Sequence, residues 1–181
     1  MLEHTVAILI GGKSRRMGTP KHDIELQSGQ TMLDCTVAFA RKLSNSMVVV
    51  GGEVAGYRCV QDRRDNHGPV AGIEVLLESG IDDRYLVVGC DMPQLSPEVV
   101  KPLLKQDETA IYTHEDMGMG LPLVILSSAV NACTEYLDAG KRSIKGFVQT
   151  IPHKEISASD EIVALLQSIN TPDDLNKFAV E

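Results

Sequence analysis

The segment from Gly11 to Lys21 gathers residue types that could hold a chain of phosphates. Paired glycines open it, and its cations are Lys13, Arg15, Arg16 and Lys21. No Asp or Glu occurs between His4 and His22, although the whole chain carries a formal net charge of −8. Gly11 and Gly12 would let the backbone approach an anion and turn its N–H groups toward it. A solvated turn is the alternative, but the purely cationic composition favours a polyphosphate ligand.

Residue spacing within this segment excludes two common nucleotide-binding loops. The Gly-x-Gly-x-x-Gly pattern of dinucleotide-binding proteins is absent, and no Gly-Lys-Ser/Thr closes a Gly-x-x-x-x frame. A strand predicted over Thr5–Ile10 runs directly into the segment. Because ligands of open α/β sheets bind beyond the carboxyl ends of the strands, we expect a phosphate site of a different kind there.

Asp91 follows a second apolar strand candidate, Tyr85–Val88, within the sequence Cys90-Asp91-Met92-Pro93. A carboxylate just past a buried strand could bind Mg²⁺ between phosphates, because this hard cation prefers oxygen ligands and keeps several waters. Alone, Asp91 is explained equally well as a turn former before Pro93. Taken together with the cationic segment, it is the predicted ligand of a Mg²⁺ cofactor.

Asp62 follows a weaker strand candidate, Arg58–Gln61, and precedes a predicted helix at Pro69–Leu77. Gly68 and Gly72 would allow close approach at the start of that helix. Asp62 is then placed to accept hydrogen bonds from a sugar hydroxyl or a base. Charged residues also crowd ordinary surface loops, which is the alternative for this segment.

The remaining pattern predicts the elements that must position these residues. Apolar strand candidates alternate with segments of helical period, which indicates an α/β fold with a mainly parallel sheet. Continuous apolar strands imply burial on both faces, and therefore a three-layer α/β/α sandwich. Thr31 and Thr171 are predicted helix caps. No repeat or long linker divides the 181 residues, so we expect a single domain over 1–181.

Composition and charge narrow the functional classes. The acidic balance argues against nonspecific nucleic-acid binding, which needs a broad basic surface. The longest apolar run, at residues 6 to 10, is too short for a membrane helix, and no signal peptide precedes it, so we expect a cytoplasmic protein without membrane contact. The four cysteines form no Cys-x-x-Cys pair and are interpreted as reduced core thiols.

Four motifs, in order along nearly the whole chain, resemble the molybdenum-cofactor guanylyltransferases, within the wider group of nucleotidyltransferases with a Rossmann-like fold of the nucleotide-diphospho-sugar transferase type. They are Leu9-Ile10-Gly11-Gly12-Lys13-Ser14-Arg15-Arg16-Met17-Gly18-Thr19-Pro20-Lys21, Asp62 with Gly68-Pro69-Val70-Ala71-Gly72, Cys90-Asp91-Met92-Pro93, and Asn170-Thr171-Pro172-Asp173-Asp174-Leu175. The Gly11-Gly12 pair favours the guanylyl branch of the group, because cytidylyl relatives tend to carry Ala before the second glycine.

The resemblance implies transfer of GMP from Mg²⁺-bound GTP to molybdopterin, with release of pyrophosphate and formation of molybdopterin guanine dinucleotide. It implies transient contacts with other molybdenum-cofactor proteins as well. The resemblance places Leu9, Gly11, Gly12 and Gly68 at the nucleotide and Asp62 at its guanosine portion. It places Arg16 and Lys21 at the phosphates and Asp91 at the Mg²⁺.

Two other functions stay open on the sequence. One is an enzyme of the same class with a different base or acceptor, such as a cytidylyltransferase or a sugar-phosphate nucleotidylyltransferase. The other is a noncatalytic nucleotide-binding module that kept the fold and lost the chemistry.

Three smaller features have two interpretations each. The run Met117–Pro122 could line an acceptor pocket, but a flexible surface loop is favoured. The run Lys141-Arg142-Ser143 could grip an acceptor phosphate or be a solvated helix start. His67 beside Gly68 is interpreted as a turn residue.

Overall fold

A seven-stranded mixed sheet forms the centre of the protein. The computed structural model describes residues 2–10, 20–26, 28–64 and 67–178. The strands are β1 Thr5–Leu9, β2 Met47–Val50, β3 Cys59–Val60, β4 Arg84–Gly89, β5 Ala110–His114, β6 Met117–Leu126 and β7 Lys154–Ser157. Their order is β3-β2-β1-β4-β6-β5-β7, and every pairing is parallel except those of β6 with β4 and with β5. The predicted α/β fold with a mainly parallel sheet is confirmed.

Helices cover both faces of this sheet. They are α1 Met32–Arg41, α2 Pro69–Glu78, α3 Pro97–Leu104, α4 Val130–Asp138, α5 Ile144–Val148, α6 Asp160–Leu165 and α7 Pro172–Phe178. Alternate residues of β1 point to opposite sides: Val6 and Ile8 pack with α1 and α3, whereas Ala7 and Leu9 pack with α2. Each central strand thus buries apolar side chains in two cores, which explains the continuous apolar runs in the sequence.

The start of α1 is fixed by the predicted cap. The Thr31 hydroxyl oxygen accepts a hydrogen bond from the Asp34 N–H at 3.0 Å, and the Asp34 carboxylate accepts one from the Thr31 N–H at 2.9 Å. This reciprocal pair satisfies N–H groups that the first helical turn leaves without partners. The Thr31 N–H and the Thr31 hydroxyl both donate to the Asp34 carboxylate, and these bonds lower its pKa.

The interpretation of Met117–Pro122 as a flexible loop is wrong, because Met117 begins β6. The chain reverses at Glu115 and Asp116, whose φ values of 49° and 60° are those of a tight hairpin turn. Across the hairpin, a Cβ added at Gly118 would lie 3.0 Å from Ile111 Cδ1, so a larger residue there would make the Ile111 side chain shift by a few tenths of an ångström. Gly118, which suggested a loop in the sequence, therefore lies opposite Thr113 in a paired strand.

Every helix within the described ranges is too short or too polar to cross a lipid bilayer. The short helix α5 has only five residues, too few for a helical period to be recognised in the sequence. The Ser143 hydroxyl caps it by accepting from the Gly146 N–H at 3.3 Å, so the interpretation of the run at 141–143 as a helix start is confirmed.

All four cysteines are free thiols, and two of them belong to the cores. Cys90 and Cys133 are buried, whereas Cys35 and Cys59 are half-buried. Burial raises the pKa of the Cys90 thiol and of the Cys133 thiol to about 12 each. The thiolate is the form that reacts, so these two groups should be inert near neutral pH.

Native protein treated with iodoacetamide at pH 8 should therefore be alkylated at no more than Cys35 and Cys59, and in denaturant at all four cysteines. Peptide mass mapping after a short exposure measures this directly. The Cys35→Ser/Cys59→Ser variant, used as the control, should stay unlabelled when native. Fast native labelling of Cys90 or Cys133 would contradict the packing described above.

Candidate functional site

The candidate site lies at the carboxyl ends of β1 and β4. These strands are neighbours in parallel register, with Leu9 opposite Gly89, and the Cys90 N–H donates to the Leu9 carbonyl at 3.0 Å. The order of the sheet reverses at this point, because β2 and β3 extend to one side of β1 while β4 begins the other side. A reversal of this kind opens a crevice at the strand ends, which is where ligands of such sheets bind.

Lys21 and Asp91 meet in this crevice. Lys21 stands in a single turn of 3-10 helix, and its Nζ donates to Asp91 Oδ2 at 2.6 Å. The exposed fractions of the two side chains are 20% and 19%, so the pair is partly buried but still open to solvent. Two residues that the sequence separates by 70 positions are thus joined at the end of β4.

The C-terminal segment contacts both residues of the pair in the same crevice. Lys21 Nζ also donates to Asn170 Oδ1 at 2.7 Å, and the Ile169 N–H donates to the Asp91 carbonyl at 2.9 Å. The neighbouring Thr171 caps α7 as predicted, since its hydroxyl oxygen accepts from the Asp174 N–H at 3.2 Å. Asn170 was not recognised as a partner of Lys21; the only sequence signal was its place in the fourth motif.

Asp62 and Leu9 meet on the other side of β1, around Gly72 of α2. A Cβ added at Gly72 would lie 3.0 Å from Val50 Cγ1, 3.2 Å from Asp62 Oδ1 and 3.4 Å from Leu9 Cδ2. A larger residue at this position would push these three side chains away by a few tenths of an ångström, so glycine allows the closest approach of the helix to the strand ends. The residue Asp62 is exposed as a whole, but partial burial of its carboxylate against the protein raises its pKa.

Gly68 precedes the first turn of α2 and has a φ of 71°, a conformation that favours glycine. Pro69 follows at the start of the helix, and the first turn contains no acidic residue. A Cβ at Gly68 would lie 3.5 Å from the carbonyl oxygen of Arg142, so the segment before α5 packs beside this helix start. The structure thus brings Gly68 and the 141–143 run together.

Three residues of the predicted site, Gly11, Gly12 and Arg16, lie outside the described residues. The chain leaves the described residues after Ile10, at the end of β1, and re-enters them at Pro20, one residue before Lys21.

A divalent cation could be held here by Asp91. The described residues contain no cluster of three or more His, Cys, Asp or Glu side chains that could hold a metal on their own. One carboxylate nevertheless suits Mg²⁺, which commonly takes one or two protein carboxylates and completes its coordination with water and substrate phosphates. The ammonium group at 2.6 Å shows that Asp91 presents its oxygen to a cation at this edge.

Known proteins are similar to this chain over almost their whole length. A probable molybdenum cofactor guanylyltransferase of Pelotomaculum thermopropionicum is 31% identical over 194 aligned positions, covering 99% of this chain and 94% of that protein. The crystal structure of molybdopterin-guanine dinucleotide biosynthesis protein A from Archaeoglobus fulgidus superimposes with a TM-score of 0.81 at 23% identity, covering 96% of this chain and 95% of that one.

A second solved structure is also similar to this chain in fold. The 2-C-methyl-D-erythritol 4-phosphate cytidylyltransferase from Thermus thermophilus superimposes with a TM-score of 0.74 at 17% identity, covering 99% of this chain and 98% of that one. The model of the MobA-like NTP transferase domain matches residues 6–155, a range that includes β1 from its second residue, β2 to β6, Lys21, Asp62 and Asp91. The chain therefore belongs to the family of MobA-like NTP transferase domains, a family of nucleotidyltransferases.

Proposed function

We propose that this protein, as a single nucleotidyltransferase domain, transfers GMP from Mg²⁺-bound GTP to molybdopterin, releasing pyrophosphate and forming molybdopterin guanine dinucleotide. The observation that carries the proposal is the Lys21–Asp91 ion pair, 2.6 Å long, at the reversal point of the sheet. Relatives named guanylyltransferases over nearly the full chain support the choice of base.

In this proposal Lys21 and Asp91 exchange partners when the substrate arrives. The Lys21 ammonium would then bind the phosphates, and the Asp91 carboxylate, released from Lys21, would hold Mg²⁺. When bound, Mg²⁺ would neutralise charge on the triphosphate. The acceptor phosphate of molybdopterin attacks the α-phosphorus in line, so positioning and charge stabilisation suffice and no side chain needs to act as a covalent nucleophile.

The nucleotide is assigned to both sides of β1. We assign Leu9, Gly11 and Gly12 to its binding surface and Arg16 to the charge of its phosphates. Asp62 and Gly68 lie at the start of α2 and are assigned to the guanosine portion; the partly buried Asp62 carboxylate could accept from the base or from the ribose. Reaction in the cytoplasm, and transient contacts with other proteins of molybdenum-cofactor synthesis, complete the proposal.

Replacing Asp91 tests the proposed transfer reaction. Asp91→Asn keeps the shape of the side chain but removes the charge that a metal and Lys21 both need, so pyrophosphate release should fall at least about 100-fold. The assay combines GTP, Mg²⁺ and molybdopterin. Asp160→Asn is the matched control, because it removes the same charge from a side chain that is 97% exposed, and it should release pyrophosphate at the wild-type rate. A wild-type protein that binds GTP and releases no pyrophosphate would instead be a noncatalytic module.

Replacing Lys21 should separate metal binding from nucleotide binding. In Lys21→Met the competing ammonium is gone, so Mn²⁺ alone, a spectroscopic substitute for Mg²⁺, should bind Asp91 more tightly than in the wild type. Affinity for Mg·GTP should fall, because the phosphates lose a cationic partner. Electron paramagnetic resonance titration and calorimetry give the two affinities. Lys101→Met, on the exposed side of α3, should change neither. Equal Mn²⁺ affinity in Lys21→Met and wild type would disprove the exchange of partners.

The choice of base can be tested without the acceptor. At about 100 times Kd, a nucleotide should add about 2.7 kcal/mol to the free energy of unfolding. We expect Mg·GTP to raise the melting temperature more than Mg·CTP does at equal concentration, with Mg-triphosphate as the reference for phosphate binding alone. A larger shift with CTP would make the protein a cytidylyltransferase while leaving the reaction class unchanged.

A further inference from the structure

Arg64 makes a three-way ionic contact outside the site described above. Its Nε donates to Glu74 Oε2 at 2.7 Å and its Nη2 donates to Glu74 Oε1 at 2.8 Å. Its Nη1 donates to Asp138 Oδ1 at 2.6 Å. The contact with Glu74 is bidentate, a geometry that the planar guanidinium provides and that a lysine ammonium does not.

Glu74 is an unusual member of α2. The helix is otherwise apolar over most of its length, and the Glu74 side chain is only 5% exposed. A buried carboxylate is strongly unfavourable unless it is paired and hydrogen-bonded, so Glu74 requires Arg64. Asp138 is the last residue of α4. Arg64 therefore ties the segment after β3 to α2 and to the end of α4.

The same segment carries Asp62, two residues before Arg64. It lies along α2: the Asp62 carboxylate is beside Gly72, and Arg64 binds Glu74 two residues further along the helix. Arg63 also contacts α2, through Glu78 at 2.6 Å, but Arg63 is 73% exposed. Exposed pairs of that kind contribute little, whereas the Arg64 pair is fixed by burial. Arg64 is thus the anchor of the segment.

We propose that Arg64 is a positioning residue for the nucleoside: by binding Glu74 it holds Asp62 over Gly72, where Asp62 contacts the guanosine portion of the substrate. This inference rests on the proposed function and adds a residue that acts through Asp62 and does not touch the ligand itself. It explains why an otherwise apolar helix retains a buried glutamate.

The test removes both charges of the buried pair together. Arg64→Leu alone would leave the Glu74 carboxylate buried without its partner. The double variant Arg64→Leu/Glu74→Leu removes both charges of the pair and should fold. Its Kd for Mg·GTP, measured by calorimetry, should rise about tenfold, the value of one lost hydrogen bond to a charged group. The matched control Arg63→Leu/Glu78→Leu should bind Mg·GTP as the wild type does.

Two further measurements separate positioning from general damage. Mg-triphosphate, which lacks a nucleoside, should bind the Arg64→Leu/Glu74→Leu variant with wild-type affinity, because the phosphate site at Lys21 is not involved. Adding the same two changes to Asp62→Asn should produce no further loss of Mg·GTP affinity. If the double variant does not fold, Arg64→Lys replaces it, and its Kd for Mg·GTP should rise while its Kd for Mg-triphosphate stays constant.

Several outcomes would overturn the inference. They are wild-type Mg·GTP affinity in the folded variant, an equal loss of Mg-triphosphate affinity, or an undiminished effect in the Asp62→Asn background. Wild-type affinity in Asp62→Asn itself would also overturn it, since Arg64 would then have no nucleoside contact to position. Pyrophosphate release by the wild type is measured separately, so this inference can fail while the proposed reaction stands.

Discussion

The Lys21 ammonium and the Asp91 carboxylate, 2.6 Å apart, neutralise each other at an edge that would otherwise present two partly buried, unpaired charges. Everything assigned to the site depends on this contact being both stable and reversible. Lys21 also donates a hydrogen bond to Asn170, and the Ile169 N–H donates one to the Asp91 carbonyl. These two bonds hold the C-terminal segment against the end of β4. The ion pair therefore stabilises the contact between these segments in the ligand-free protein, and it is also the proposed site of the reaction.

The parallel pairing of β1 with β2 and β4 is what brings these groups together. Parallel strands end at the same edge, so residues that follow different strands become neighbours without being close in the sequence. Leu9, Asp62 and Asp91 all follow this rule, since each stands at or just after a strand end. Gly72 completes the arrangement, because its missing side chain lets α2 approach both Leu9 and Asp62.

Features with a local signal could be predicted from the sequence, and features formed by long-range pairing could not. The buried strand β1, the Thr31 cap and the strand-end acids Asp62 and Asp91 have such signals. The first half of β6 lacks β-branched residues and contains two glycines, so only its pairing with β5 makes it a strand. Contacts such as Lys21 with Asn170, 149 positions apart, or Arg64 with a glutamate in an apolar helix, leave no periodic pattern.

Burial separates the ion pairs of this protein into two kinds. The Lys21–Asp91 pair keeps about a fifth of each side chain exposed, so water, a metal or a phosphate can compete for either partner. The Glu74 carboxylate is nearly inaccessible and bound at both oxygens by Arg64, so no ligand can replace its partner without opening the helix layer. In the proposed reaction the two pairs have different roles: the Lys21–Asp91 pair opens for the triphosphate, and the Arg64–Glu74 pair stays closed and keeps Asp62 in place.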